Sequence, residues 1–185
     1  MSVIERMLRR DDVPDDGEFV RLSPMRRRDL KAGVLEVERL AYPKPWSSGV
    51  FQSELEQVKS GSRHYLVARL GGRIVGHAGL WFAADEAHVT NVAVHPAARR
   101  RGIARTMMSA LAEEALRRAC VSWTLEVRVS STGAQELYRS FGFVPAGVRQ
   151  KYYENTEDAI VMWCHDIDSE EYRARLDALA AGGVM

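Results

Sequence analysis

The feature that most constrains the fold is a stretch in which a strand, a loop, a long helix and another strand follow one another. Residues 87–94 (AHVTNVAV) are rich in β-forming residues, and His95-Pro96 ends that run. From about Gly102 to Arg118, apolar residues recur at helical spacing. Ser122–Val129 (SWTLEVRV) then alternates apolar and polar side chains, which is typical of a half-buried strand. A long helix is therefore expected between two strands of the same domain.

The segments on either side of this stretch complete an α+β pattern. Arg26–Ala41 has helical periodicity, and Ser47 is a candidate N-cap for a second helix. Gly71-Gly72 separates two strand-like runs and predicts a hairpin. A short helix over Ser131–Ser140 and two further strands follow the central stretch. The sequence predicts one α+β domain with a central sheet flanked by helices.

Length and composition set the limits of this domain. The chain has 185 residues, of which 46% are hydrophobic and 28% charged, so one well-filled core is expected. We expect residues 1–17 to form a mobile tail and residues 18–167 to form the folded domain. Residues 168–185 are expected to be a C-terminal extension with helical character.

Charge and hydropathy exclude several classes of protein. A net charge of +1, from 26 basic and 25 acidic residues, disfavours direct nucleic-acid binding. No apolar run approaches the roughly 20 residues of a membrane helix, and the first residues lack a secretory signal. Cys120, Cys164 and the five scattered histidines have no ligand spacing, so no metal is expected. A cytoplasmic protein without membrane attachment is the resulting expectation.

The loop before the long helix has the composition of an anion-binding site. Arg99, Gly102 and Ala104 form an R-x-x-G-x-A pattern where the helix is expected to start. Backbone N–H groups at a helix start lack internal partners and carry partial positive charge, so they bind phosphate when no side chain blocks the approach. A solvated basic run at an ordinary helix N-terminus explains the bare pattern equally well.

Two residues are candidates for proton transfer. Glu126 lies on the polar face of an otherwise apolar strand, where a partly enclosed carboxylate suits a general base; a salt-bridged glutamate is the alternative. Tyr138 has core spacing on a short helix, so a packed tyrosine is its alternative role.

The segment from Val89 to Phe143 resembles the acetyl-CoA site of GNAT acetyltransferases. The resemblance implies a mixed, mostly antiparallel sheet that is splayed between its fourth and fifth strands, with acetyl-CoA as co-substrate. Main-chain groups of the fourth strand would contact the acetyl and pantetheine groups, and the loop would hold the pyrophosphate. The cofactor-binding residues that it implies are Val92, Ala93, Val94, Arg99, Arg100, Arg101, Gly102, Ile103, Ala104, Arg105 and Ser131.

Further motifs resemble the RimI-like protein N-terminal acetyltransferases. These motifs are LEVRVS, A-x-x-LYRSFGF, KYYENTEDAIVM and the segment from Glu38 through YPKPW. The resemblance implies Glu126 as proton acceptor and Tyr138 as proton donor. It also implies that Trp46, Tyr152 and Tyr153 border the groove for the acceptor peptide.

Two positions depart from the family pattern. Ser131 stands where Asn is usual, and a serine hydroxyl reaches less far toward the cofactor. Tyr42 stands where Phe usually precedes the first proline of the loop.

The resemblance implies an enzyme that acetylates the N-terminal α-amine of a protein, a small-subunit ribosomal protein that begins with Ala. A GNAT enzyme that acts on lysine side chains or on a small amine is the first alternative. A non-catalytic acyl-CoA-binding module is the second, and the presence of both Glu126 and Tyr138 disfavours it. The acceptor's identity and the oligomeric state stay open.

Overall fold

The computed structural model describes residues 19–181 and contains seven strands and five helices within that range. The strands are β1 (Arg21–Pro24), β2 (Arg63–Leu70), β3 (Arg73–Ala83), β4 (Glu86–Val94), β5 (Ser122–Arg128), β6 (Val144–Tyr153) and β7 (Glu157–His165). Helix α1 consists of three consecutive segments, Arg27–Asp29, Leu30–Val34 and Leu35–Ala41. The other helices are α2 (Ser48–Val58), α3 (Ile103–Arg117), α4 (Thr132–Ser140) and α5 (Glu170–Ala181).

The seven strands form one mixed sheet in the order β1-β2-β3-β4-β5-β7-β6. β1 is antiparallel to β2, and β7 is antiparallel to both β5 and β6. β4 and β5 are parallel, and their register runs only from Glu86–Ser122 to His88–Thr124. β4 continues to Val94, so the two strands pair at their N-terminal ends, as expected for strands that diverge. The predicted α+β fold with a mixed, mostly antiparallel sheet is confirmed.

Contacts along the chain group it into two compact units. The first unit comprises the described residues up to Gly79 together with Asn91–Met108. The second comprises Leu80–Thr90 together with the described residues from Ser109 onward.

The first unit has a core between its two N-terminal helices and the strands. Phe51, Val34 and Val67 are fully buried in this cluster, which also contains Tyr65 and Ala93. α1 is kinked at Gly33, whose φ of 160° and ψ of −24° are not helical. A Cβ at that position would lie 2.9 Å from Ile74 Cβ, so the close approach requires glycine. The sequence predicted an unbroken helix over Arg26–Ala41, and its periodicity cannot reveal this tertiary contact.

The second unit is built around Trp123 of β5, which is fully buried. The indole ring lies 4.6 Å from the ring of Phe143 and 6.2 Å from that of Phe141, measured between centroids. Tyr172 of α5 packs edge-on against the same indole at 6.4 Å and is 5% exposed. These contacts join β5, the segment after α4 and the C-terminal helix into one aromatic core.

The long helix predicted from Gly102 to Arg118 is observed as Ile103–Arg117. The predicted C-terminal extension contains α5, whereas the predicted tail over residues 1–17 lies outside the described residues. Within residues 19–181, no helix has the length and hydrophobicity needed to span a bilayer.

Candidate active site

The end of β4 presents main-chain groups on the edge that faces away from β3. The His95 N–H donates to the Val75 carbonyl over 2.8 Å, which ties this part of β4 to β3. Successive residues of a strand direct their hydrogen-bonding groups to opposite edges, so those of Val92 and Val94 point away from β3. Two side chains reach these carbonyls: the Tyr42 hydroxyl donates to Val92 O at 2.7 Å, and Arg99 Nε donates to Val94 O at 3.4 Å.

A tight turn connects β4 to α3. His95 Nδ1 accepts a hydrogen bond from the Ala97 N–H at 3.2 Å, and the Ala98 N–H donates to the His95 carbonyl at 2.8 Å. Arg100 and Gly102 both have left-handed backbone angles, with φ of 65° and 75°. Glycine adopts this conformation without strain, which explains its use immediately before α3.

The start of α3 fits a pyrophosphate. Gly102 is exposed, and a Cβ built on it would have no described atom within 4 Å. The first N–H groups of α3 have no partners within the helix, and the helix dipole adds partial positive charge there. Three consecutive arginines, Arg99–Arg101, and Arg105 in the first turn are exposed around this opening. Space, N–H donors and cationic side chains therefore occur together in the first unit, with Ile103 buried behind them and Ala104 half-buried.

Glu126 lies in the middle of β5, where it pairs in register with Val161 of β7. Its neighbours Leu125 and Val127 point into the core, and the Glu126 side chain points to the other face with 24% exposure. Arg149 of β6 reaches across β7 and places Nη1 3.2 Å from Glu126 Oε1. The carboxylate therefore has a counter-charge and remains accessible, as a proton acceptor requires.

Tyr153 lies beside Glu126 in the second unit. Its hydroxyl donates to the Glu126 carbonyl at 3.0 Å, and the Arg128 guanidinium lies 4.1 Å from the centre of its ring. Burial raises the pKa of Tyr153, and the nearby charges of Tyr152, Tyr138 and Glu126 raise it further. The hydrogen bond to the Glu126 carbonyl places the Tyr153 hydroxyl next to the β5 backbone at Glu126.

Arg128 itself is fixed by two carboxylates. Its Nη1 and Nη2 atoms donate to Glu157 at 2.9 Å and to Glu154 at 2.8 Å. Hydrogen bonds from the hydroxyl and the N–H of Ser130 lower the pKa of Glu157 to about 2, and the hydrogen bond from Arg128 contributes less. This network holds the guanidinium against the Tyr153 ring in a fixed orientation.

Tyr138 is on α4 and is 8% exposed. Its ring packs edge-on against Phe143 at 6.0 Å, and its carbonyl accepts the N–H groups of Phe141 and Phe143. Burial raises the pKa of Tyr138 to about 12. The phenol therefore keeps its proton throughout the physiological range, which suits a proton donor.

The remaining candidates divide between the two units. Ser131 is the N-cap residue of α4, and its side chain makes no capping hydrogen bond. Tyr152 is 47% exposed and packs edge-on against Tyr153 at 5.1 Å. Trp46 belongs to the first unit, as do Val92–Arg105. The sequence interpretation did not include Arg149, because its position opposite Glu126 depends on the order β5-β7-β6.

Comparison with known proteins identifies the family. The sequence model of the acetyltransferase (GNAT) family matches residues 31–143, which is more than half of the chain. The chain belongs to the GNAT family. It is 36% identical to the [ribosomal protein bS18]-alanine N-acetyltransferase of Escherichia coli K12, over 76% of this chain and 94% of that protein.

One further relative and a crystal structure agree with this assignment. The N-alpha-acetyltransferase RimI of Mycobacterium tuberculosis is 36% identical over 75% of this chain and 87% of that protein. The crystal structure of the ribosomal-protein-S18-alanine N-acetyltransferase from Escherichia coli superposes with a TM-score of 0.72 and 30% identity, covering 80% of this chain and 94% of that one. This GNAT protein is therefore an N-acetyltransferase, and enzymes of its family take the acetyl group from acetyl-CoA. The described residues contain no group of three or more His, Cys, Asp or Glu side chains suited to a metal ion.

The opening at the start of α3 gives a first prediction. Arg105→Glu should weaken acetyl-CoA binding about 10–100-fold, because a charged hydrogen bond to a phosphate contributes about 1.5–3 kcal/mol. Calorimetry measures this affinity directly. Charge reversal is a cleaner test than Gly102→Val, since a branched residue at the left-handed φ of Gly102 strains the backbone as well as filling the opening.

Two controls accompany the Arg105 variant. Arg21→Glu reverses another exposed charge of the same unit and should leave acetyl-CoA affinity unchanged. S-acetylpantetheine lacks the pyrophosphate, so Arg105→Glu should react with it as fast as the parent enzyme does. An equal loss with both acetyl donors would contradict a phosphate contact at Arg105.

Proposed function

We propose that this enzyme acetylates the N-terminal α-amine of a protein that begins with Ala, namely ribosomal protein bS18 of its own ribosome. The support is the 36% identity, over three quarters of the chain, to a relative named for this acceptor. The observation that carries the proposal is the accessible Glu126 carboxylate, held beside Tyr153 and Arg149 on one face of the sheet.

Glu126 is proposed as the proton acceptor. An amine must be neutral to attack a thioester, and an α-amine has a pKa near 7.7–8.0. At neutral pH most of it is protonated, so a carboxylate that removes the proton, directly or through one water, raises the reactive fraction. The Arg149 guanidinium, 3.2 Å from Glu126 Oε1, would orient the carboxylate toward the acceptor amine.

Tyr138 is proposed as the proton donor. Acetyl-CoA supplies an activated acetyl thioester, and its departing thiolate takes up a proton. Burial of Tyr138 raises the pKa of its hydroxyl to about 12, so the group carries a proton throughout the physiological range. Tyr138 would donate this proton to the departing thiolate and recover one from solvent before the next turnover.

The cofactor is proposed to bind through the first unit and Ser131. Main-chain groups at Val92, Ala93 and Val94 would contact the acetyl and pantetheine groups, and Arg99–Arg105 would contact the pyrophosphate. The Ser131 hydroxyl, which makes no helix cap, would donate one hydrogen bond to the cofactor.

Trp46 in the first unit and Tyr152 and Tyr153 in the second unit are each proposed to contact the acceptor peptide. Aromatic side chains at such contacts limit the bulk of the peptide's first side chain. An α-amine loses its proton more easily than lysine by roughly 2–3 pKa units, or about 3–4 kcal/mol, which one carboxylate base can accommodate. We therefore expect the enzyme to acetylate an α-amine in preference to a lysine side chain.

A pair of peptides tests this function. The first peptide begins Ala-Arg, and the second has the same sequence with a blocked N-terminus and an internal lysine. We expect acetylation of the first only, with mass spectrometry locating the acetyl group on the α-amine. Acetylation of the internal lysine alone, or of a polyamine control alone, would favour the alternative of a lysine or small-amine acetyltransferase.

A non-catalytic acyl-CoA-binding module is the remaining alternative. It predicts binding of acetyl-CoA with no transfer to any amine in the same assay. The presence of both Glu126, with a side chain that is 24% exposed, and the buried Tyr138 argues against it, because binding alone requires neither a proton acceptor nor a proton donor.

A further inference from the structure

The loop of residues 42–46 (YPKPW), here called the acceptor loop, is fixed at both ends and exposed in the middle. Pro43, Lys44 and Pro45 are exposed, whereas Tyr42 and Trp46 are half-buried and pack against the core of the first unit. Each proline restricts φ to about −65°. A loop with two prolines and two anchored ends has few conformations available, so little entropy is lost when it binds a ligand.

The first anchor is the hydroxyl of Tyr42. It donates to the Val92 carbonyl on the outer edge of β4 at 2.7 Å, across 50 positions of sequence. β4 is held on its other edge by the bond from the His95 N–H to Val75 O. Loss of the Tyr42 hydroxyl should therefore release the loop and leave the strand in place.

The second anchor is the carboxylate of Glu38. Glu38 Oε1 accepts the Trp46 N–H at 2.9 Å, and the residue is only 1% exposed. Its Oε2 lies 3.2 Å from Nε2 of the fully buried His77, a contact that is not aligned as a hydrogen bond. The Trp46 ring packs edge-on against Phe51 at 5.4 Å, and Phe51 packs edge-on against His77 at the same distance.

We propose that Tyr42 and Glu38 are positioning residues that hold the acceptor loop in the conformation that binds the acceptor peptide. This inference rests on the proposed function, in which Trp46 contacts the acceptor peptide. The Tyr42 anchor distinguishes this chain from the usual family pattern, because the phenylalanine that is usual at this position has no hydroxyl to bind Val92. The two anchors set the affinity for the acceptor, whereas the pyrophosphate of acetyl-CoA would be bound by the loop before α3.

Tyr42→Phe tests the first anchor while preserving the ring. We expect KM for the Ala-Arg peptide to rise about 3–10-fold, the loss associated with one net hydrogen bond. We expect kcat to stay within about twofold and the calorimetric affinity for acetyl-CoA to change less than the peptide KM, because the bond at Val75 still holds the strand while Val92 loses only the contact with the Tyr42 hydroxyl. If Tyr42 had only a structural role, Tyr42→Phe would lower the melting temperature without a selective rise in the peptide KM.

Tyr65→Phe is the matched control. Tyr65 lies in the same unit, is 2% exposed, and its hydroxyl donates at 2.8 Å to Oε2 of Glu54, which belongs to α2 and not to the acceptor loop. This variant should lose comparable thermal stability with no change in peptide KM. If Tyr42→Phe and Tyr65→Phe have the same peptide KM, the inference is wrong.

Glu38 supplies an independent comparison. Glu38→Ala removes the acceptor of the Trp46 N–H and should raise peptide KM, whereas Glu38→Gln retains an acceptor oxygen and should recover part of the loss. If Glu38→Ala does not fold, the peptide KM of Tyr42→Phe compared with that of Tyr65→Phe still tests the inference. A parent enzyme that is inactive on the peptide would overturn the proposed function itself, whereas an active parent with an unchanged Tyr42→Phe variant would overturn only the positioning role.

Discussion

Glu126→Gln is expected to lower kcat for an Ala-Arg peptide by about 10²–10⁴-fold at neutral pH, the usual effect of removing a general base. Glutamine has the same shape and keeps a hydrogen-bond acceptor near Arg149, but it cannot take a proton from the acceptor amine. Acetyl-CoA affinity should change little. Steady-state kinetics with calorimetry on the same preparation measure both quantities.

The pH dependence separates this chemical role from a structural one. Between pH 7 and pH 9.5 the neutral fraction of an α-amine rises about tenfold, since its pKa is near 8. The deficit of Glu126→Gln should shrink by up to that factor as the acceptor loses its proton to solvent. Glu136→Gln, an exposed change on α4, should stay within twofold of the parent at every pH. Full activity of Glu126→Gln at neutral pH would show that another group is the base.

Tyr138→Phe is expected to lower kcat by a similar factor, about 10²–10⁴-fold, because it removes the proposed proton donor alone. The ring that packs against Phe143 is retained, so the fold and acetyl-CoA affinity should persist. Tyr172→Phe is the matched control, since Tyr172 is also buried in the second unit and burial also raises its pKa. That control should retain parental kcat.

The raised pKa of Tyr138 leads to a second prediction, on the pH dependence of the rate. A donor with a pKa near 12 stays protonated as the pH rises past 10, the value of an ordinary phenol. The parent enzyme should therefore show a rising pH–rate profile without a descending limb from Tyr138 between pH 6 and pH 10. A descending limb near pH 8 that disappears in Tyr138→Phe would contradict the buried, protonated donor.

Local patterns were sufficient for much of the fold and for the identity of the main candidates. The alternation of SWTLEVRV places Glu126 on the face opposite Leu125 and Val127, and the structure has that arrangement. The start of α3 followed from the small residues and arginines before an apolar helical repeat. The family motifs supplied the mixed, mostly antiparallel character of the sheet, the splay between its fourth and fifth strands and the link to acetyl transfer, which periodicity does not contain.

The sequence by itself determined which residues are strand, turn and helix around the candidate site, because those preferences depend on neighbours a few positions away. Only the tertiary structure decided which side chains meet. The contact of Arg149 with Glu126 depends on β6 lying next to β7, and the bond from Tyr153 to Glu126 spans 27 positions. The bond from Tyr42 to Val92 spans 50 positions. Contacts at such separations depend on the packing of whole elements, and no local repeat in the sequence encodes them.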